Sequence, residues 1–232
     1  RGGGAPPFAP SCAYDAGDKA NYPPGTTVTY AVEEAPGYLP RGKLLNEVAQ
    51  CFVQWSGPTA SGLEFKRLPA QRAEEAQLVI GWGDHSATNA LKFDGPGGKL
   101  AEADASRIIL DSSERWLLHG LGWEKSIVGA RTELPAGAPA AFFLAPVILH
   151  ELGHALGLTH SRDPNEVMAP HYVADRVELT PRDKERARMA YGVAEPAAEP
   201  AAADPAAQPP AEPAAQPAAQ PAQQRSSICA LL

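Results

Sequence analysis

A short segment at residues 150–161 constrains this chain more than any other part of it. It reads H-E-L-G-H-A-L-G-L-T-H-S. His150 and His154 are four residues apart, so a helix would place both imidazoles on one face, within reach of a single ion. Gly157 can adopt the left-handed conformation that ends a helix, and the chain can then turn and bring back His160 as a third ligand. Three neutral imidazoles leave one tetrahedral position open, which is the arrangement of a catalytic rather than a structural zinc site.

Glu151 stands next to the first of these histidines, in the pattern H-E-x-x-H. From there it can reach a water molecule on the ion and act as a general base. The alternative is an ordinary amphipathic helix whose histidines lie at the surface or in the core. The added glycine and third histidine argue against that alternative, and the longer motif predicts a methionine-containing turn downstream. Met168, eight residues after His160, meets this expectation.

Composition limits the classes of function. The chain has 232 residues, a net charge of −7 and 44% hydrophobic residues, which suits one globular domain with additional chain. No basic block indicates nucleic-acid binding, and no apolar run approaches the length of a membrane-spanning helix. The first residue is Arg1 rather than methionine, which we interpret as a removed signal peptide or a fragment.

Hydrophobic periodicity predicts the remaining elements. Strands are predicted at residues 26–32, 63–68, 76–82 and 107–111, and helices at 43–55, 146–156 and from 181 to about 191. Thr180 is the expected N-cap of the last helix, and Gly192 is expected to end it. Residues 117–141 show no strong periodicity and are expected to be irregular. We therefore predict an irregular N-terminal segment at 1–20, a folded domain at 21–193 and a disordered Pro/Ala/Gln-rich tail at 194–232.

Four stretches resemble the metzincin zinc proteases and, among them, the matrixins, the catalytic domains of matrix metalloproteinases. They are Ser161 directly after the third histidine, F-D-G-P-G-G-K-L-A at 93–101, D-S-S-E-R-W at 111–116, and the closing segment 179–192 that ends in Tyr-Gly. The resemblance implies an α+β fold. Its sheet would be twisted and mostly parallel with an antiparallel edge strand, accompanied by two long helices and a C-terminal helix.

The resemblance also implies an activity and a cleft. A zinc-activated water would attack peptide bonds, with Glu151 as general base and Met168 as an apolar floor beneath the histidines. Residues 98–103 would form the edge strand along which a peptide binds, with Leu100 and Ala101 in the cleft. Pro170 and Tyr172 would form a wall of the substrate pocket.

Two further ion sites belong to the matrixin pattern. The carboxylates of Asp94, Asp111 and Glu114 and the backbone carbonyls of Gly95 and Gly97 match a calcium site; otherwise the carboxylates are ordinary surface groups. A second, structural zinc is predicted to be absent. Its pattern keeps His85, but Ala87, Glu102 and Ile109 occupy the other ligand positions.

The chain has three cysteines, Cys12, Cys51 and Cys229. A Cys12–Cys51 disulfide would suit an exported protein; the alternatives are a remnant of the inhibitory cysteine of matrixin zymogens at Cys12, or two free thiols, with Cys51 buried as a small apolar residue. The last four residues, C-A-L-L, fit a lipidation signal at Cys229, although a chance match or a truncated sequence explains them as well.

These observations favour a secreted zinc endopeptidase that acts on extracellular proteins and that the tail could attach to a surface. We expect a monomer with peptide or protein substrates, no nucleic-acid partner and no transmembrane segment. A non-catalytic extracellular binding module that retains the fold is the first alternative. A surface protein whose Pro-rich tail is the functional part is the second.

Overall fold

The structure is a computed structural model, and it describes residues 17–83, 93–119 and 140–194. Its helices are α1 (Arg41–Trp55), α2 (Leu144–Ala155) and α3 (Pro181–Tyr191), with a 3-10 helix at Ala70–Glu75. Its strands are β1 (Thr27–Val32), β2 (Glu64–Arg67), β3 (Leu78–Gly83), β4 (Ala101–Ala103), β5 (Arg107–Asp111), β6 (Arg115–Leu117) and β7 (Ala141–Phe143).

Five strands form one sheet in the order β2-β1-β3-β5-β4. The first four are parallel to one another, while β4 runs antiparallel to β5, with Ala101 opposite Leu110. The mostly parallel sheet with an antiparallel edge strand is therefore confirmed. The edge strand starts at Ala101 rather than at residue 98, and the helices differ from the predicted bounds by two residues or fewer.

Strands β6 and β7 form a second, parallel sheet that pairs Trp116 with Phe142. The prediction that residues 117–141 are irregular is thus wrong at its ends, because Leu117 and Ala141 belong to strands. Each strand has only three residues, which is too short to show an alternating pattern in the sequence. Residues 120–139 lie outside the described part of the chain.

The core lies between the five-stranded sheet and helices α1 and α2. Helix α1 buries the face that carries Leu44, Val48, Phe52 and Trp55, as its three- and four-residue spacing predicts. The Phe52 ring stacks on Tyr30 of β1 with ring centroids 3.7 Å apart. The two helices are joined by a hydrogen bond of 3.0 Å from Trp55 Nε1 to the carbonyl of Leu149, which fixes α2 against α1.

Helix α2 is buried along almost its whole length, as expected of a helix whose first six residues are all apolar. Its own N-cap residue, Phe143, offers no side-chain acceptor. Glu47 of α1 supplies one instead, since its carboxylate accepts hydrogen bonds from Ala145 N at 3.2 Å and His119 N at 2.8 Å. A carboxylate at this end also interacts favourably with the positive end of the helix dipole.

Cys51 is a free thiol in the structure, but Cys12 is not among the described residues, so the Cys12–Cys51 disulfide stays a prediction. The side chain is fully buried between α1 and α2, and its Sγ lies 3.8 Å from the carbonyl oxygen of Ala145. Burial, followed by the neighbouring Glu47 charge, raises the pKa of Cys51 well above its usual value. Cys12 and Cys229 lie outside the described residues.

Among the residues that the structure describes, no helix is long and apolar enough to cross a membrane.

Candidate metal centre and substrate cleft

Three histidines converge at the end of α2. His150 and His154 lie on one face of the helix, and their Nε2 atoms are 3.0 Å apart. His160 approaches from the turn that follows, and one nitrogen from each ring lies within 4.8 Å of the other two. Zn–N bonds of about 2.0–2.1 Å in a tetrahedron place neighbouring nitrogens roughly 3.3 Å apart. The three side chains therefore fit a single zinc ion.

Backbone carbonyls orient two of these rings. His150 Nδ1 lies 2.8 Å from the carbonyl oxygen of Val167, and His154 Nδ1 lies 2.8 Å from that of Leu158. A carbonyl can only accept, so each Nδ1 carries the proton and each Nε2 presents its lone pair to the shared point. Such contacts to the outer nitrogen are typical of metal-binding histidines.

The same two rings are held in the neutral form that binds a metal. Burial is the main cause that lowers the pKa of His154, to about 4. Burial, followed by the His154 charge, lowers the pKa of His150 well below its usual value. Both rings are therefore unprotonated near neutral pH and available as ligands.

Glu151 directly follows His150 on the same helix, α2. It is 1% exposed, and its Oε1 has no hydrogen-bond partner among the described residues. Burial, followed by the Glu102 carboxylate, raises the pKa of Glu151 to about 8. The ionised form of such a carboxylate would be stabilised by a cation at the neighbouring histidines.

The turn that carries His160 is held by the N-terminal segment 18–21. Gly157 has a φ of 101°, which confirms the predicted left-handed residue after the helix. Its carbonyl accepts from Lys19 N at 3.0 Å. The Asp18 carboxylate accepts from Thr159 N and Oγ1 at 2.9 and 3.0 Å, directly before the histidine. Arg186 of α3 closes this contact, because its guanidinium donates both to Asp18 and to the Thr159 carbonyl.

Met168 is completely buried beneath the histidines. Its carbonyl accepts from Ser161 N at 2.8 Å, which joins the methionine turn to the residue after the third histidine. Gly153, between the first two histidines, makes room for this side chain, since a Cβ there would lie 2.2 Å from the Met168 sulfur. The Asp183 carboxylate holds the turn from below and accepts from Val167 N at 3.0 Å and Met168 N at 3.4 Å.

The residues predicted for a substrate cleft lie in two segments, one beside β4, which packs against α2, and one bonded to Phe143 at the start of α2. Leu100 and Ala101 are buried, at and just before the start of β4, the last strand of its sheet among the described residues. Tyr172 is buried on the other side, where its hydroxyl accepts from Phe143 N at 2.9 Å, and Pro170 precedes it at partial exposure. The Tyr172 contact ties this segment to the start of α2.

The predicted calcium ligands lie close together in the loop before β4 and the turn after β5. Glu114 Oε1 accepts from Gly97 N at 2.5 Å, and Asp94 Oδ1 from Lys99 N at 2.7 Å. The other oxygens of Asp111 and Glu114, Oδ2 and Oε2, are buried without a hydrogen-bond partner among the described residues. Burial is the main cause that raises the pKa of Glu114, and the Asp111 and Asp94 charges add to it. Carboxylates that lack hydrogen-bond partners and repel one another suit a hard cation. They are not as tightly grouped as the histidines, which form the one tight cluster of three ligand side chains among the described residues.

Two of the four positions of the second zinc pattern are described. Glu102 forms an ion pair with Lys99, and Ile109 lies opposite it in β5. His85 and Ala87 lie outside the described residues. Neither described position offers an imidazole.

Sequence reasoning missed four residues that support the site: Asp18, Glu47, Asp183 and Arg186. Asp183 lies in the first turn of α3, where it completes a capping box with Thr180, and it also accepts from the methionine turn. Its second role depends on long-range contacts that no local pattern reveals. Glu47, Asp183 and Arg186 are buried charged residues and Asp18 is partly buried, but a sequence does not show burial.

Comparison with known proteins agrees with this geometry. The sequence pattern of the family described as Matrixin matches residues 21–192. Matrilysin of Felis catus is 34% identical over 178 residues, which cover 71% of this chain and 58% of that protein. "Probable matrix metalloproteinase 095L" of Invertebrate iridescent virus 3 is 33% identical over 161 residues, or 66% of this chain and 39% of that protein.

Interstitial collagenase A of Mus musculus is 31% identical over 177 residues, which cover 72% of this chain and 32% of that protein. The matching region thus spans between about a third and three fifths of the length of these three relatives. The family match itself takes in well over half of the 232 residues and contains every residue of the metal centre. The chain belongs to the matrixin family of zinc metalloproteases.

Proposed function

We propose that this chain is a zinc-dependent endopeptidase that is exported and cleaves extracellular proteins. The observation that carries the proposal is the convergence of His150, His154 and His160 next to the buried carboxylate of Glu151. A metal held by three neutral imidazoles keeps a position for substrate or water. The relatives named as a matrilysin and a collagenase support the same class of activity.

In this proposal the three histidines hold the ion, and Glu151 moves the proton. When bound, zinc polarises the peptide carbonyl and acidifies water at its open position. Glu151 accepts the proton from the attacking water and then donates it to the leaving nitrogen. Burial raises the pKa of this carboxyl to about 8, and a cation at the histidines would stabilise its ionised form, which is the form that accepts the proton. Met168 fixes the floor under the histidines and takes no part in the proton transfer.

The substrate would bind in extended form along β4. Backbone groups at Leu100 and Ala101 would pair with the peptide as an added strand. Pro170 and Tyr172 would border the residue after the cleaved bond. The bond between Tyr172 and Phe143 N supports this role, since it keeps the wall at a fixed distance from α2.

Three further proposals accompany this function. A calcium ion would stabilise the loop through Asp94, Asp111 and Glu114 with the carbonyls of Gly95 and Gly97, supported by the two orphaned carboxylate oxygens. A second zinc would be absent, because Glu102 is engaged by Lys99. Residues 21–193 would be the catalytic unit, and 194–232 would serve as a spacer.

Digestion of a diverse peptide mixture by the full chain, read by mass spectrometry, tests this function. Parallel samples contain a zinc chelator, with zinc restored in half of them. We expect cuts that vanish with the chelator and return with zinc. Cuts that persist in the chelator would indicate another activity. A folded, zinc-loaded protein that cuts nothing would indicate a binding module instead.

A further inference from the structure

A pocket of about 530 Å³ lies beside the metal centre. Seven residues line it: Ser161, Arg162, Pro164, Ala169, Pro170, His171 and Arg176. Ser161 connects it to the metal centre, since it directly follows His160, and Pro170 connects it to the expected wall of the cleft. Its volume is within the range of small-ligand pockets. A peptide that reaches the metal from this side would bring one of its groups to the pocket.

The residues that line this pocket include basic side chains but no acidic ones. Arg162 and Arg176 bring two guanidinium groups and His171 adds a ring with nitrogen donors, whereas none of the seven lining residues is acidic. Asp163 and Asp175 each stand next to one of the two arginines in the sequence. Asp163 accepts from the backbone and side-chain nitrogens of Asn165, both at 2.9 Å. The lining residues therefore bring guanidinium groups and hydrogen-bond donors to the pocket and no carboxylate.

Arg176 shows how that charge is held in place. Its Nη1 donates to the carbonyls of His171 at 2.7 Å and Ala169 at 3.5 Å, and its Nη2 donates to that of Pro164 at 2.5 Å. These neutral acceptors fix the plane of the guanidinium without cancelling its charge. Its fork has five N–H donors, so these three contacts leave two donors that meet no acceptor among the described residues.

No carboxylate lies within ion-pair distance of Arg176 in the described part of the chain. Burial is the main cause that lowers the pKa of Arg176, while Asp183 and Asp175 act on it from further away and raise it. A half-buried guanidinium with a fixed plane and no anionic partner is suited to bind a planar carboxylate through two parallel hydrogen bonds.

We propose that this pocket binds a carboxylate of the substrate peptide and thereby sets a preference for acidic groups on the side of the cleaved bond that faces Pro170. The inference rests on the proposed peptidase function, and it adds the chemical class of substrate that the site prefers. Two sources supply such a group: an aspartate or glutamate side chain, or the C-terminal carboxylate of a short peptide. Arg162 and Arg176 are the specificity-determining residues.

Three sets of peptides distinguish these sources. The reference is a cleaved peptide with glutamine at each position after the cut and an amidated C-terminus. The second set replaces one glutamine at a time by glutamate, and the third keeps glutamine but has a free C-terminus. The measured quantity is kcat/KM for each peptide relative to the reference, at fixed ionic strength.

The variants are Arg162→Gln, Arg176→Lys and, as a control, Arg72→Gln, whose side chain is exposed in the 3-10 helix, away from the pocket lining. We expect the zinc-loaded full chain to favour one acidic peptide about tenfold, the effect of one charge-assisted pair. The ratio should fall towards one in Arg162→Gln and Arg176→Lys and stay unchanged in Arg72→Gln. If Arg176→Lys loosens the wall, Arg162→Gln still decides, because its side chain is exposed.

A ratio near one in the unsubstituted protein, or one that neither pocket variant changes, would overturn the proposal. A second readout separates this failure from that of the peptidase function: fluorescence anisotropy of labelled acidic and neutral peptides binding to Glu151→Gln protein. Tighter binding of the acidic peptide that is lost in the additional Arg162→Gln substitution supports the pocket even if nothing is cleaved. Equal binding of both peptides overturns the pocket even if cleavage is observed.

Discussion

Two separate structural requirements call for glycine at position 157: a left-handed backbone conformation and room for a neighbouring segment. Gly157 has a φ of 101°, in the left-handed region, and its Cα faces the backbone of the N-terminal segment so closely that a Cβ would lie 1.7 Å from the Lys19 carbonyl oxygen. Gly192, after α3, shares only the first requirement, with a φ of 64° and no atom within 4 Å of an added Cβ. The two glycines therefore allow backbone strain and steric contact to be measured separately.

We expect Gly192→Ala to cost about 1 kcal/mol of unfolding free energy, the usual strain of an alanine in the left-handed region. Gly157→Ala should cost at least about 2 kcal/mol more, because segment 18–21 must move away. Urea unfolding of both zinc-loaded variants measures the difference. Equal costs would show that the contact with Lys19 contributes nothing.

The residues of the metal centre could be predicted because they lie within one short motif, where helix periodicity alone brings His150 and His154 together. The residues that hold the centre could not. Asp18 and Arg186 are far apart in the sequence and meet only after the whole domain has folded. Arg176 gave no signal, since a single arginine in a loop is normally a solvated charge.

At the level of elements, α2 depends on its neighbour α1 for a hydrogen-bond acceptor to a backbone N–H in its first turn. Glu47 is 3% exposed and accepts from both Ala145 N and His119 N. The amphipathic pattern of α1 was visible in the sequence, yet its one buried acidic residue looked like part of the polar face. The glutamate is buried nevertheless, because it accepts from a backbone N–H at the start of α2, and a buried N–H without an acceptor would destabilise the fold.

Glu47→Ala should therefore destabilise the protein by about 2–4 kcal/mol, since it removes the acceptor of the buried Ala145 N–H and of the part-buried His119 N–H, at roughly 1–3 kcal/mol each. It should also weaken zinc binding, because α2 carries two of the three histidines. Thermal or urea unfolding and a competitive zinc titration measure both effects. Glu74→Ala, an exposed acidic residue in the 3-10 helix, is the control, and a loss no larger than its own would contradict this role.

The loop before β4 and the turn after β5 are also linked, through Glu114 and Gly97. If calcium binds there, a hundredfold excess over its Kd adds about 2.7 kcal/mol of stability, or roughly 5–11 °C in Tm for a domain of this size. We expect this rise in the zinc-saturated protein and its loss in Asp111→Asn and Glu114→Gln. Glu64→Gln, an exposed residue in β2, should keep it. The same shift in all four proteins would place calcium elsewhere.

At the scale of the whole molecule, a contact between residues near the two ends of the folded domain stabilises the turn before His160. Asp18 and Arg186 form an ion pair of 2.8 Å, and Glu166 lies 3.6 Å from the same guanidinium. Burial acts to raise the pKa of Asp18, but the hydrogen bonds and charge of Arg186 and those of Thr159 outweigh it, so that the pKa is lowered on balance. The ionised carboxylate thus stabilises the turn before His160.

Asp18→Asn should lower the unfolding free energy by about 1–3 kcal/mol at neutral pH, because it loses charged hydrogen bonds. A group with a lowered folded pKa stabilises fully above its unfolded value, 3.8 for this residue, and loses that contribution as the pH falls through the folded value. The difference between the unsubstituted protein and Asp18→Asn should therefore be constant between pH 7 and about 5 and shrink below pH 4. A difference that grows on acidification, or one matched by the exposed control Glu178→Gln, would contradict the assignment.

The order of the strands could be expected only through the family resemblance. Residue patterns give the strands β1, β2, β3 and β5 as separate segments, but nothing local says that β1 lies between β2 and β3. That order depends on the crossover from β1 to β2 through α1, which buries its apolar face in the core, and on the connection from β2 to β3 through the 3-10 helix. Short strands such as β6 and β7 depend on each other for their existence, so they are invisible before the fold is known.

The central claim is that the histidines bind zinc while Glu151 performs proton transfer. Zinc content by elemental mass spectrometry and peptide turnover, measured together on the unsubstituted protein and on Glu151→Ala, test it most directly. We predict one zinc per chain in both proteins and turnover in the first only, reduced in the variant by at least about a hundredfold. A variant that loses its zinc, or one that retains zinc and turns over peptides at the unsubstituted rate, would contradict the account.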